Sequence, residues 1–141
     1  MTNKPFYVQV SDFVEKAKAR QTAIFRKSAS LVMERANIPK AQGGRMPVRD
    51  GFLRNSTVAG VGSLASATSD PALVFATMKV GQTVFAGWSA KYALRMEYGF
   101  FGADSLGRQY AQQGNGFLRA QTQNWTFIVA EVTEEVKKAI P

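Results

Sequence analysis

The sequence predicts an α+β fold: a long N-terminal helix and a C-terminal helix packed on a small, mainly antiparallel β-sheet. Three observations carry that expectation. Apolar residues recur at spacings of three and four over residues 13–35, and again over 118–140. Between these stretches lie short β-like runs punctuated by glycine and proline. The chain has 141 residues, 45% of them apolar and 20% charged, which suits one domain (1–141) with a real core and argues against global disorder.

Taken in order, Phe6, Val8 and Val10 alternate through Tyr7 and Gln9, so residues 1–10 read as a short strand or an extended arm. Asp12 followed by Glu15 reads as a capping box that opens a helix. Phe13, Val14, Ala17, Gln21, Ile24, Ser28, Leu31, Val32 and Arg35 then mark one helix face, and Lys16, Lys18, Arg20, Arg26 and Lys27 the polar one. Asn37 and Pro39 are stop signals, which places the end near Ala36. A helix of about 25 residues is ~37 Å long, more than a domain of this size is wide, so one end is expected to project or to meet a neighbour.

Residues 43–56 are dense in turn residues and arginine: Arg45, Arg49 and Arg54 alternate with Gly43, Gly44, Pro47 and Gly51. The stretch reads either as a solvated surface loop or as a docking loop. Leu53 to Ala59 looks like a strand. Residues 60–71 are small and polar and read as a flexible excursion; no lysine follows the glycines, so this is not a phosphate loop. Ala72 to Val80 and Thr83 to Trp88 read as two strands of a hairpin turning at Gly81-Gln82. Ser89 is placed to cap a short helix, Ala90 to Tyr98, with Tyr92, Ala93 and Met96 inward and Gly99 just past its end. Residues 99–116 form a second long loop carrying Phe100, Phe101, Arg108 and Tyr110, residues suited to stacking bases or to a protein interface. Asn115 is the expected cap of the last helix, with Trp125 in the core and Glu131, Glu134 and Glu135 on the outer face.

Several chemistries are excluded. Without cysteine or histidine there is no disulfide, no zinc-thiolate site, no thiol nucleophile and no histidine base. Ser89 and Lys91 lack any oxyanion-hole signal, and the carboxylates are scattered. No cofactor motif is found. No apolar run approaches the ~20 residues of a membrane span, and the N-terminus lacks a signal-peptide core, so synthesis and folding in a reducing cytoplasm is expected.

The net charge is +8, and its whole excess lies between Lys16 and Arg54, where ten basic residues face only Glu34 and Asp50. That band suits a solvated face, or attracts an anionic partner, either nucleic acid or an acidic protein surface.

Pro47-Val48-Arg49-Asp50-Gly51-Phe52-Leu53-Arg54-Asn55-Ser56 resembles the Pro-Val-Asp-Thr-Gly-x-Leu-Arg-x-Ser signature of the tail-completion, or head–tail joining (neck), proteins of long-tailed bacteriophages. Tyr92-Ala93 followed by Glu97-Tyr98-Gly99 is similar to that family's Tyr-Ala-x-x-x-Glu-Tyr/Phe-Gly, and Gly116-Phe117-Leu118-Arg119-Ala120 to its Pro-Phe-Leu-Arg-Pro-Ala. The order and spacing agree across most of the chain. Two departures stand out: Asp50 directly precedes Gly51, and Gly116 replaces the proline.

The resemblance implies a structural virion protein and no enzyme. It would form a homo-oligomeric ring, commonly a hexamer, between the portal-side connector and the tail tube or tail terminator, close to packaged DNA. Rings need heterologous interfaces. The basic first helix and loop 43–56 would then meet an acidic surface carrying Glu97, Glu131, Glu134 or Glu135. The expected interface residues are Arg45, Arg49, Phe52, Arg54, Phe100, Phe101, Arg108 and Tyr110. The alternative is a small basic nucleic-acid-binding module, although no helix-turn-helix, zinc or RNA-binding signature accompanies it.

Overall fold

A computed structural model describes residues 3–141. It is an α+β structure with a long N-terminal helix, C-terminal helices and two small antiparallel pairs of strands. Its elements in order are α1 (Phe6–Ala36), α2 (Phe52–Asn55), β1 (Thr57–Val61), α3 (Pro71–Thr77), β2 (Val84–Trp88), α4 (Ala93–Tyr98), β3 (Gly99–Ala103), β4 (Gln109–Gln113), α5 (Phe117–Gln123) and α6 (Trp125–Ala139). Among the described residues no helix is long and apolar enough to cross a membrane.

The first helix begins earlier than its capping box suggested. The expected strand or arm over residues 1–10 is helical from Phe6, with Pro5 at the N-cap; Met1 and Thr2 lie outside the described residues. The alternation of Phe6, Val8 and Val10 is too short to decide between periods, since Phe6, Val10, Phe13 and Ala17 also share one helix face. No glycine or proline interrupts 6–36, so helix propagates back to Pro5. Asp12 caps nothing and accepts from Lys4 Nζ at 2.7 Å. The helix does end at Ala36, with Asn37 at its C-cap.

Residues 72–80, expected as a strand, form α3 with its following turn. The Asp70 carboxylate accepts from the Leu73 amide at 3.2 Å, and Pro71 stands at the first helical position. Cap and proline outweigh the β-like composition of Leu73, Val74 and Phe75. The expected hairpin at Gly81-Gln82 therefore does not exist. The Gln82 amide closes a turn on the Lys79 carbonyl, with Gly81 at φ 95° in its second central position. β2 pairs instead with β1, Thr57 facing Trp88 and Val61 facing Val84. Leu53 belongs to the single turn α2, because Gly51 at φ 83° starts a helical turn and the strand opens only at Thr57.

Two loop readings and two helix starts are also corrected. Residues 60–71 hold a 3-10 turn (Leu64–Ser66), and Thr68 bridges Ala59 through two backbone hydrogen bonds of 2.8 and 3.0 Å. Residues 99–116 are mostly the β3–β4 hairpin. The last helix is broken at Asn124 into α5 and α6, and its cap is Gly116, at φ 63°, not Asn115. Ser89 caps no helix; its hydroxyl donates to the Ser56 carbonyl at 3.2 Å, and α4 starts only at Ala93.

The core forms three clusters. Val32 of α1 packs with Ile128, Val132 and Val136 of α6. Met33, one residue on and turned to the other side, packs with Ala59, Phe75 and Met78 under β1 and α3. Met46, Leu53, Ala90 and Phe117 form the third. Leu118 of α5 touches all three, so a short helix joins them. Helices α1 and α6 run antiparallel: Arg20 Nε donates to the Ile140 carbonyl at 2.7 Å, Lys27 pairs with Glu135, and Arg35 pairs with Glu131 at 2.7 Å.

Candidate docking surface

The arginine-rich loop is fixed at both ends. Lys40 and Met46 exchange backbone bonds with Met46 and Ile38 respectively, at 3.1 Å each, which sinks Met46 fully into the core. A Cβ on Gly44 would lie 1.9 Å from the Ile38 carbonyl oxygen, so only glycine allows this crossing. Asn37 then gathers three neighbours. Its carbonyl accepts from Arg54 Nε at 3.0 Å, its amide nitrogen donates to Thr57 Oγ1 at 3.0 Å, and its amide oxygen accepts from Trp88 Nε1 at 2.9 Å. Arg54 therefore anchors the loop. Arg45 and Arg49 are exposed and make no ion pair among the described residues. Phe52 is 59% exposed, its ring 6.1 Å from that of Tyr92. Pro47, Val48, Arg49, Tyr92 and Met96 line a cavity of about 420 Å³ beside it.

Helix α4 joins this loop to the hairpin. Tyr92 at its N-cap and Met96 within it face the loop cavity, while the Arg95 guanidinium lies 3.9 Å from the centre of the Phe100 ring. Phe100 in turn sits 5.7 Å from Tyr110. Asp104 at the hairpin tip collects the Leu106 and Arg108 amides, both at 2.9 Å, Arg108 Nε at 2.6 Å and the Tyr110 hydroxyl at 3.2 Å. Desolvation pushes the Asp104 carboxyl up, but the Arg108 amide and guanidinium, the Leu106 amide and the Tyr110 hydroxyl outweigh it and hold it below its ordinary value. Phe101 turns away from this stack and is 69% exposed.

The hairpin is joined to the core through Glu97. This carboxylate is buried and accepts from the Leu118 amide at 3.0 Å and the Arg119 amide at 2.8 Å, capping the start of α5. Backbone bonds from Asn115 to Met96 and from Gly116 to Glu97 close the same junction, at 2.8 and 3.1 Å. Phe117 stands edge-on to Trp88 with ring centres 4.9 Å apart, and the Arg119 guanidinium lies 5.3 Å from the Tyr98 ring.

The structure thus groups Arg45, Arg49, Phe52 and Arg54 on one loop, and Phe100, Phe101, Arg108 and Tyr110 on one hairpin, with α4 between. Sequence reasoning missed Arg95 and Asp104. Arg95 is exposed on α4 and its signal was only its place four residues before Gly99, one turn from Phe100. Asp104 with Gly107 three residues on is a turn signal that was read only as loop. Of the four glutamates expected on an acidic docking surface, Glu97 is buried and the other three are exposed but paired within the chain. Glu131 and Glu135 pair with Arg35 and Lys27 of the same chain, Glu134 pairs with Lys137 at 3.3 Å, and Glu97 is internal. Half of the basic band likewise fastens the fold: besides those pairs, Arg26 Nε donates to the Met78 carbonyl at 2.7 Å.

No protein-family model, no curated protein and no solved structure matches this chain.

Proposed function

We propose that this chain is a structural virion protein of the bacteriophage neck, completing the tail as a ring between the portal-side connector and the tail tube. The observation that carries the reading is the meeting of the three signature-like stretches. Residues 47–56, 92–99 and 116–120 are far apart in sequence, yet Tyr92, Ala93 and Met96 pack against the cluster that holds Leu53 and Phe117, and Glu97 caps the helix that Phe117 opens.

The mechanism is binding without chemistry. Loop 45–52 and the β3–β4 hairpin hold Phe52, Phe101, Arg45 and Arg49 on a scaffold that is already ordered, so little entropy is lost on contact. The exposed aromatics supply the apolar part of an interface and the two arginines its charge. Function resides in these surfaces, and the virion neck is the proposed location.

The test is mass-resolved chromatography of the chain with connector and tail-tube proteins of a long-tailed phage. A discrete large complex that survives nuclease is expected, and Arg45→Glu with Arg49→Glu should abolish it without lowering the unfolding temperature. Absence of any complex, together with DNA affinity that falls steeply with salt, would replace this reading with the nucleic-acid module.

A further inference from the structure

The apolar stripe of α1 outruns the helix that covers it. Over residues 20–36 the stripe is packed by α6, which ends beside Arg20. Over residues 6–19 the same face continues with Phe6, Tyr7, Val10, Phe13 and Val14, and no residue of that stretch is buried. These five side chains fall within about 120° of the helix circumference. Phe6 is 80% exposed and Phe13 70%. An isolated helix of this composition does not leave three aromatic rings in water without a partner to take them.

A groove of the right character lies further along the same helix. Two adjoining apolar hollows, of about 480 and about 610 Å³, share Phe25, Gln82 and Trp125 in their walls. Beneath the first lies Ser28, fully buried, whose hydroxyl oxygen has no hydrogen-bond partner among the described residues. Trp125, expected in the core, is 42% exposed here and forms part of the rim.

We infer that the N-terminal arm of one copy of this chain docks in the Phe25–Gln82–Trp125 groove of a second copy. The arm cannot fill its own groove: Phe13 and Ser28 are fixed ~22 Å apart on one helix, and no glycine or proline between them permits a bend. Donor and acceptor are therefore different surfaces of one subunit, the heterologous arrangement that closes rings. Burying three aromatics at about 150–250 Å² each, with two valines, approaches the ~800 Å² per partner of a stable interface. This assigns the subunit–subunit contact of the ring proposed above, and it rests on that reading only for closure.

The absence of cysteine makes the test direct. Val10→Cys and Gln82→Cys variants each carry a single thiol. Mixed and mildly oxidised, they should form a 1:1 cross-linked dimer, neither should cross-link alone, and the double variant should give a ladder of larger species. Val80→Cys provides a second groove position. Cross-linking of Val10→Cys with itself would show that arms pair with arms and overturn the proposal, as would no cross-link at the highest attainable concentration. Phe6→Asp with Phe13→Asp should reduce the assembly to monomer with unchanged thermal unfolding. If that variant still forms the complete complex with connector and tail-tube proteins, the arm contact is wrong and the neck reading survives. If the arm cross-links but no connector or tube protein binds, the neck reading fails alone. Binding of the wild-type arm to anionic vesicles, lost in the same double variant while no copy–copy cross-link forms, would assign the stripe to a lipid surface instead.

Discussion

Strands β1 and β2 align five residues in antiparallel register, and so do β3 and β4. Ala59 at the centre of the first pair is fully buried, lying with Met33, Phe75 and Met78, whereas no residue of the second pair is buried. Two-stranded pairs are marginal on their own. The first is stabilised by apolar burial beneath it. The second is held at its ends: Gly99, Gly114 and Glu97 at the base, and Asp104 at the tip. The same ladder of backbone bonds can thus be maintained by a core or by clamps, and the two should fail differently.

The largest expected effect is on the buried pair. Phe75→Ala should destabilise the whole fold by about 3–5 kcal/mol, since it opens a cavity under β1. Chemical denaturation should show one lowered transition in which both pairs are lost together. Next is Glu97→Ala, which leaves two amides of α5 without an acceptor and should cost roughly 1–3 kcal/mol; Glu97→Gln, keeping one acceptor oxygen, should fall between it and wild type.

Glycines separate the two pairs more finely. A Cβ on Gly114 would lie 2.4 Å from the Glu97 carbonyl oxygen and 2.5 Å from the Tyr98 carbonyl carbon. Gly114→Ala should therefore speed amide exchange across 99–113 while leaving 57–61 protected. Gly87 in β2 has nothing within 4 Å of such a Cβ, so Gly87→Ala should change neither. A smaller effect follows from pH. Asp104 has a carboxyl pKa below its ordinary 3.8, so its contribution is present above that value and is lost as pH falls through the lowered one. Acidification in that range should loosen the hairpin tip, seen in the Tyr110 and Leu106 resonances, before β1–β2 responds.

The contrast also explains what was legible in the sequence. Long amphipathic patterns were, because many residues vote together: the body of α1 to Ala36 and the stripe Ile128, Val132 and Val136 stand where the spacing placed them. Short runs were not. Leu73, Val74 and Phe75 look like a strand, and a single capping aspartate with its proline makes them helix. The hairpin at 99–113 escaped because Gly99, Gly102 and Gly107 read as loop, when they supply positive φ within paired strands and their turn. Of the candidate surface, the exposed aromatics and loop arginines were readable as residue types. Their partners Arg95, Asp104 and Asn37 were not, since those contacts depend on how separate elements meet.

The clamp at Gly99 and Gly114 has a further consequence. None of the three core clusters includes a residue from 99 to 113. The hairpin is therefore an interchangeable head on a constant frame. An insertion at Ser105-Leu106 should therefore leave the three core clusters, and the stability they confer, unchanged.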